Sequence, residues 1–215
     1  MGIFSYDSKL THTLNQIFDF LVLNLLWAVS CLPVITVGAA TTALYHTVDK
    51  VLRRGEGKLW KEYWRVFRRD WKRATALWAI MLLAFAVMAA NWFVASDLES
   101  LSSGVRSFMQ ILSIFLVVFM AIWMQLWFPY LSRFDDPVKR ILKNTMAMVM
   151  AETGVAFRLL VLIVFVVIMD VLFSRYVPVM GLLLPVAYMT SLNRILEKLF
   201  ARYISKQELS TGTDS

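Results

Sequence analysis

Five long apolar runs, separated by stretches rich in Lys and Arg, set the pattern of this chain. They cover about 17–37, 74–94, 108–128, 156–173 and 177–192. About 20 apolar residues at a rise of 1.5 Å each cross the roughly 30 Å of hydrocarbon in a bilayer. A surface helix of a soluble protein keeps a polar face; these runs are apolar all round, so each is predicted to be a membrane-spanning helix. Asp170, Arg175 and Pro178 interrupt the last two runs, which reads as a tight helical hairpin and not one long helix. The expected fold is all-α: a polytopic helical bundle forming one membrane domain over 1–204, followed by a polar, disordered tail at 205–215.

Between the runs the periodicity changes. Over 58–73, Trp60, Trp64, Phe67 and Trp71 share one helical face, and Lys61, Arg65, Arg68 and Lys72 repeat with the same spacing one residue further on. Aromatic rings beside cations suit the headgroup boundary, so this is expected to be an amphipathic interfacial helix. It is either a docking platform for a partner or a lipid anchor that needs none. A second such helix follows the third run. Val138, Ile141, Leu142, Thr145, Met146, Val149 and Met150 form its apolar stripe, with Lys139, Arg140 and Lys143 beside it; Asp135 or Asp136 is placed to cap it and Pro137 to open it. Both segments carry Phe, four residues, then Lys-Arg (Phe67 with Lys72-Arg73, Phe134 with Lys139-Arg140), which a duplication or chance in a basic loop would equally produce. Pro33 and Gly38 bracket a break at the end of the first run, readable as a kinked or unwound helix or as a plain helix end. A further helix over 39–54 would then stop at Gly55 and Gly57.

Composition confirms the environment. The chain of 215 residues is 59% hydrophobic and only 17% charged, with a mean hydropathy of +0.63, too little charge to cover a soluble fold. The net charge of +7 is organised by topology. If the connections after the first and third runs and the C-terminal tail face the cytoplasm, they hold all the basic residues except Lys9, Arg106 and Arg175. The N-terminus is therefore expected outside and the C-terminus inside a cell membrane, the cations meeting anionic lipid headgroups. No nucleic-acid recognition module frames these charges. Nothing basic precedes Lys9 and the first run is longer than a signal h-region, so no cleaved leader is expected; Cys31, the single cysteine, excludes an intrachain disulfide.

Chemistry is sparse. There is no phosphate loop, no nucleophile elbow and no zinc-binding helix pattern, and His12, His46 and Cys31 make a poor metal set. No catalytic residue, cofactor or metal is expected. Polar residues at depth are the remaining candidates: Asp19, Asn24, Asn91 and Asp170, with Gln110 and with Arg175 in the outer turn, would converge on the outer half of the bundle. They would line a small vestibule for a solute, or simply sit near the interface and cap helix ends. Ala86 and Ala90 offer a small-residue seam on the second run, compatible with a homo-oligomer.

The stretch 32–45, LPVITVGAATTALY, resembles the YesL family of bacterial membrane proteins, as do the opening 1–8, MGIFSYDS, the basic stretch 67–75, and Phe128-Pro129-Tyr130 leading to Ser132-Arg133-Phe134. The family has no known function and no established site residues. Its genes often stand beside carbohydrate uptake systems of the ATP-binding-cassette type in low-GC Gram-positive bacteria. The resemblance implies an accessory role in sugar import or sensing, with a sugar-transporter permease or sensor as partner. A small-solute carrier or channel is the alternative.

Overall fold

The computed structural model describes residues 3–97, 102–174 and 184–212, and among them every element is helical. In chain order these are α1 (Ile3–Ser30), a 3-10 turn (Val34–Thr36), α2 (Val37–Thr47), a π-helical turn (Val48–Arg53), α3 (Leu59–Asp97), α4 (Ser103–Met124), α5 (Trp127–Arg133), α6 (Val138–Ala151), α7 (Thr153–Ser174) and α8 (Leu184–Gly212). Three stretches, Leu59–Val94, Ser103–Arg133 and Thr153–Leu172, are long and apolar enough to cross a membrane; they contain the second and third predicted runs and all but the last residue of the fourth. Their outer surfaces are greasy, with Leu83, Phe93, Phe108, Phe115, Phe157 and Val171 all exposed. Water would not tolerate so much contiguous apolar surface, whereas acyl chains cover it at no cost. The first run differs from expectation, being apolar helix only over Gln16–Ser30. The fifth begins outside the described residues, and its 184–192 part opens α8.

Pro33 explains where α1 stops. It lacks an N–H and drives the residue before it away from the helical region. The Thr36 hydroxyl then donates to the Ser30 carbonyl at 2.6 Å, closing the freed helix end. The break is thus a helix end followed by a new helix. That helix, α2, is buried nearly all round, from Gly38 to Thr47. Small residues allow this: a Cβ added at Gly38 would lie 2.5 Å from the Ala74 carbonyl oxygen and 3.0 Å from the Trp78 Cβ, so the α2 backbone rests directly on α3. Thr42 and Thr47 turn their hydroxyls back to the Gly38 and Ala43 carbonyls at 2.9 and 2.8 Å, which leaves no polar penalty in the contact.

The segment 58–73 also departs from expectation. No Gly or Pro separates it from the second run, and from Leu59 onward both form one continuous helix, α3, of 39 residues. The segment continues directly into the second run and is not a separate helix. Its inward face is Leu59, Glu62, Tyr63, Val66 and Asp70, continuing to Ala74 and Leu77. The core it meets is centred on Tyr45, Trp127, Tyr130, Leu131, Ile141 and Phe200. The chain breaks between α4 and α5, and Trp127 to Ser132 fold inward and are buried. The second amphipathic helix forms as α6, burying Ile141, Thr145, Met148 and Val149 while Met150 points out. Pro137 itself is the N-cap, and neither Asp135 nor Asp136 caps through its side chain. The tail expected to be disordered from 205 is helical as far as Gly212.

Candidate functional site: a basic layer organised by buried carboxylates

The polar residues expected to gather in the outer half are spread over different seams. Asn24 is buried between α1 and α8: its amide donates to the Phe20 carbonyl at 2.9 Å, and its carbonyl accepts the Val186 N–H at 3.2 Å. Val186 is the third residue of α8, and the first N–H groups of a helix lack partners within it. Asn24 therefore caps a neighbouring helix. Asn91 donates to the Ser113 hydroxyl at 2.5 Å, and Ser113 donates to the Met109 carbonyl at 2.8 Å, a clasp between α3 and α4. Asp19 and Gln110 are half-buried. Asp170 is exposed on α7, beside an open groove lined by Trp27, Leu184, Pro185 and Tyr188. Arg175 lies outside the described residues.

The denser chemistry lies at the other end of the bundle, where α2, the π-helical turn, the first half of α3, α5, α6 and α8 meet. Three buried carboxylates organise it. Asp49, on the π-helical turn, faces Arg53 at 3.3 Å, Arg54 at 2.9 Å and Arg133 at 3.3 Å. Glu62 on α3 pairs with Arg65, with Lys50 at 3.3 Å, and has the His46 ring 3.8 Å away. Asp70, wholly shielded from solvent, takes Arg69 and Arg73, each at 2.6 Å. Each acid joins elements distant in sequence or stiffens its own, because a buried carboxylate is tolerable only when cations and donors surround it. The network continues outward. Arg73 reaches Asp135, Arg53 grips Glu197 of α8 through both terminal nitrogens, and Arg202 meets Glu152 at 3.3 Å. The Tyr130 hydroxyl donates to Asp136 at 2.7 Å and accepts from Asn144 at 2.8 Å, while the Arg133 guanidinium sits 5.1 Å above the Phe200 ring.

Electrostatics follow from this crowding. Burial chiefly, then the charge of Arg69, lowers the pKa of His46 below its ordinary value, against an opposing pull from Glu62. His46 is held neutral in the layer. The hydrogen bond from Arg53 holds the Glu197 carboxyl below the usual carboxylate range.

The expected aromatic face divides in two. Trp64 and Phe67 pack against the core, with Trp64 edge-on to Phe67 at 5.2 Å. Trp60 and Trp71 stay in the open, 62% and 45% exposed. Lys61, Arg65, Arg68 and Lys72 are exposed beside them, and an open groove is lined by Trp60, Lys61, Trp64, Arg65 and Arg68. The acids were missed because basic residues dominate these stretches. The signal was there: Glu62, Val66, Asp70 and Ala74 recur every four residues, on the same face as Tyr63 and Leu77.

The helices define a helical membrane protein with a charged, cross-braced layer at one end. Residues 20–92, about a third of the chain, match the model of a family described as a protein of unknown function, DUF624. The match takes in Asn24, Gly38, all three buried carboxylates and the exposed strip of α3. No curated protein and no solved structure matches the chain.

Proposed function

We propose that this chain is a non-enzymatic accessory or scaffold subunit of the cell membrane, serving carbohydrate uptake by a transporter of the ATP-binding-cassette type. α1 and the start of α8 supply the first and fifth spans, the N-terminus is outside, and the basic layer is cytoplasmic. One observation carries the docking role. The inward side of the layer is committed to its own carboxylates, while the outward side of α3 leaves Trp60 and Trp71 uncovered beside cations. A rigid scaffold with an uncovered aromatic and cationic strip is built to receive something. The involvement of sugar uptake rests on the family resemblance, and a sugar-transporter permease is the partner to test first.

In-cell crosslinking followed by purification in mild detergent should recover that permease. Trp60→Ala with Trp71→Ala should release it while insertion and melting temperature stay unchanged, since neither ring belongs to the core. Recovery of the wild-type protein alone at native expression refutes the proposal. The groove beside Asp170, about 480 Å³, favours a small-solute carrier as second reading. Solute flux in proteoliposomes of the pure protein, lost on Asp170→Ala, would establish it.

A further inference from the structure

We infer that the exposed strip of α3 receives an acidic amphipathic helix of a cytoplasmic partner and does not lie on the bilayer; this rests on the docking reading above. Length comes first. The apolar run of α3, the 21 residues from Ala74 to Val94, spans about 31 Å at 1.5 Å each, enough by itself to fill the hydrocarbon. Trp60 precedes Ala74 by 14 residues, which at 1.5 Å each places it about 21 Å beyond the hydrocarbon edge along the helix. The headgroup layer is only about 5–8 Å deep on each side. A tilt of about 40°, the upper end for spanning helices, still leaves about 16 Å. The bilayer can reach Trp71 and Lys72 but not Trp60 and Lys61.

Charge comes second. Among the described residues Lys50, Arg53, Arg54, Arg69, Arg73 and Arg133 all pair with carboxylates. Lys61, Arg68 and Lys72 have no such partner there, and Arg65 keeps half its side chain exposed while touching Glu62. Together these four repeat at intervals of 4, 3 and 4 residues, a straight row along one side of the helix. The complement of such a row is a second helix carrying carboxylates at the same intervals. Apolar residues next to them would cover Trp60 and Trp71, and the groove between Trp60, Trp64 and Arg68 would take one of those side chains. A headgroup layer runs across this row and meets only its upper end.

The full-length protein in nanodiscs of neutral phosphatidylcholine tests this. The probe is a labelled helical peptide with Glu at 4-3-4 spacing and Leu alongside, read by fluorescence anisotropy; its Gln counterpart is the control. The acidic peptide should bind, the Gln peptide should not, and Lys61→Glu with Arg68→Glu and Lys72→Glu should weaken binding at least tenfold. Equal binding to wild type and the reversed variant overturns the inference. A spin label at Trp60→Cys, in a Cys31→Ser background, should stay open to water-soluble relaxants in discs containing anionic phosphatidylglycerol. Burial of the label in those discs would assign the strip to the bilayer and overturn the inference too. If the reversed variant still retains the permease in cells, the docking role stands and the assignment of this strip falls. If wild type retains none, the docking role itself falls, whatever the peptide does.

Discussion

Three glycines share a position in their helices: Gly38, Gly104 and Gly154 are each the second residue, of α2, α4 and α7. Replacing each by Ala changes helix propensity equally, by at most about 1 kcal/mol in favour of Ala. Their surroundings differ. A Cβ at Gly104 or Gly154 meets nothing within 4 Å, whereas at Gly38 it meets the Ala74 oxygen at 2.5 Å. Carbon settles at about 3.5 Å or more from its neighbours, so α2 and α3 would have to part by roughly 1 Å. Both sides of the contact are backbone, and no side chain can swing away. Overpacking of this kind costs about 1–3 kcal/mol, and the upper half of that range applies here. Thermal unfolding in mild detergent, followed by tryptophan fluorescence, should show Gly38→Ala melting about 4–12 °C below wild type, taking about 2–4 °C per kcal/mol for a chain of this size. Gly104→Ala and Gly154→Ala should melt at or above wild type. If all three melt together, α2 does not rest on α3 as described, and the basis for the buried carboxylate layer goes with it.

Asn24→Leu should cost about 1–3 kcal/mol by leaving the buried Val186 N–H without an acceptor, and Asn24→Asp, which keeps the acceptor, should recover much of the melting temperature. Asp70→Ala should destabilise by about 1–2 kcal/mol, less than the loss of one partner from a wholly buried pair, because Arg69 is half exposed and water can take over its charge; an unchanged melting temperature would mean the pair is only decorative. His46 gives a pH dependence of definite sign. Its folded pKa lies below the unfolded value of 6.5, so the unfolded chain binds the extra proton. The unfolding free energy should be flat above that pH and fall as pH drops below it, by up to about 1.4 kcal/mol per pH unit, and the melting temperature should follow it. His46→Gln should remove that part of the slope, and an identical slope in the variant would refute the assignment.

Much of the fold was legible because lipid imposes a simple rule: a spanning helix must be apolar on every side for about 20 residues. The runs at 74–94, 108–128 and 156–173 obey it and coincide, to within one residue at 173, with parts of the three membrane-competent stretches. The break at Pro33 was legible too, since proline acts through local geometry. Harder to read was whether 58–73 stood apart from the span that follows, because amphipathic periodicity says which face is apolar and not whether the helix bends at its end. Nothing near Arg73 forces a bend, and α3 runs straight through. The aromatic spacing was also read as one surface, although Trp64 and Phe67 belong to the core and only Trp60 and Trp71 stand clear. Asn24 is buried, but its partner is a backbone N–H 162 residues away, and no local pattern could reveal that.

The same cations serve two purposes at different times, and this reconciles the topology argument with the paired layer. Positive charge biases orientation during insertion, when Lys and Arg act one by one on a chain that has not yet folded. After folding, many of them are neutralised by acids that the orientation rule scarcely counts: Asp49, Glu62 and Asp70 inside the layer, Asp135, Asp136 and Glu197 at its edge. The cations still available for binding are therefore far fewer than the 22 Lys and Arg, and among the described residues they include the row on the outer side of α3 together with Lys139, Lys143, Arg194 and Lys198 elsewhere. On the proposed topology Lys61, Arg65, Arg68 and Lys72 form a row that leads away from the membrane, with Trp60 at its far end. Placement of this kind favours a partner in the cytosol over the lipid surface.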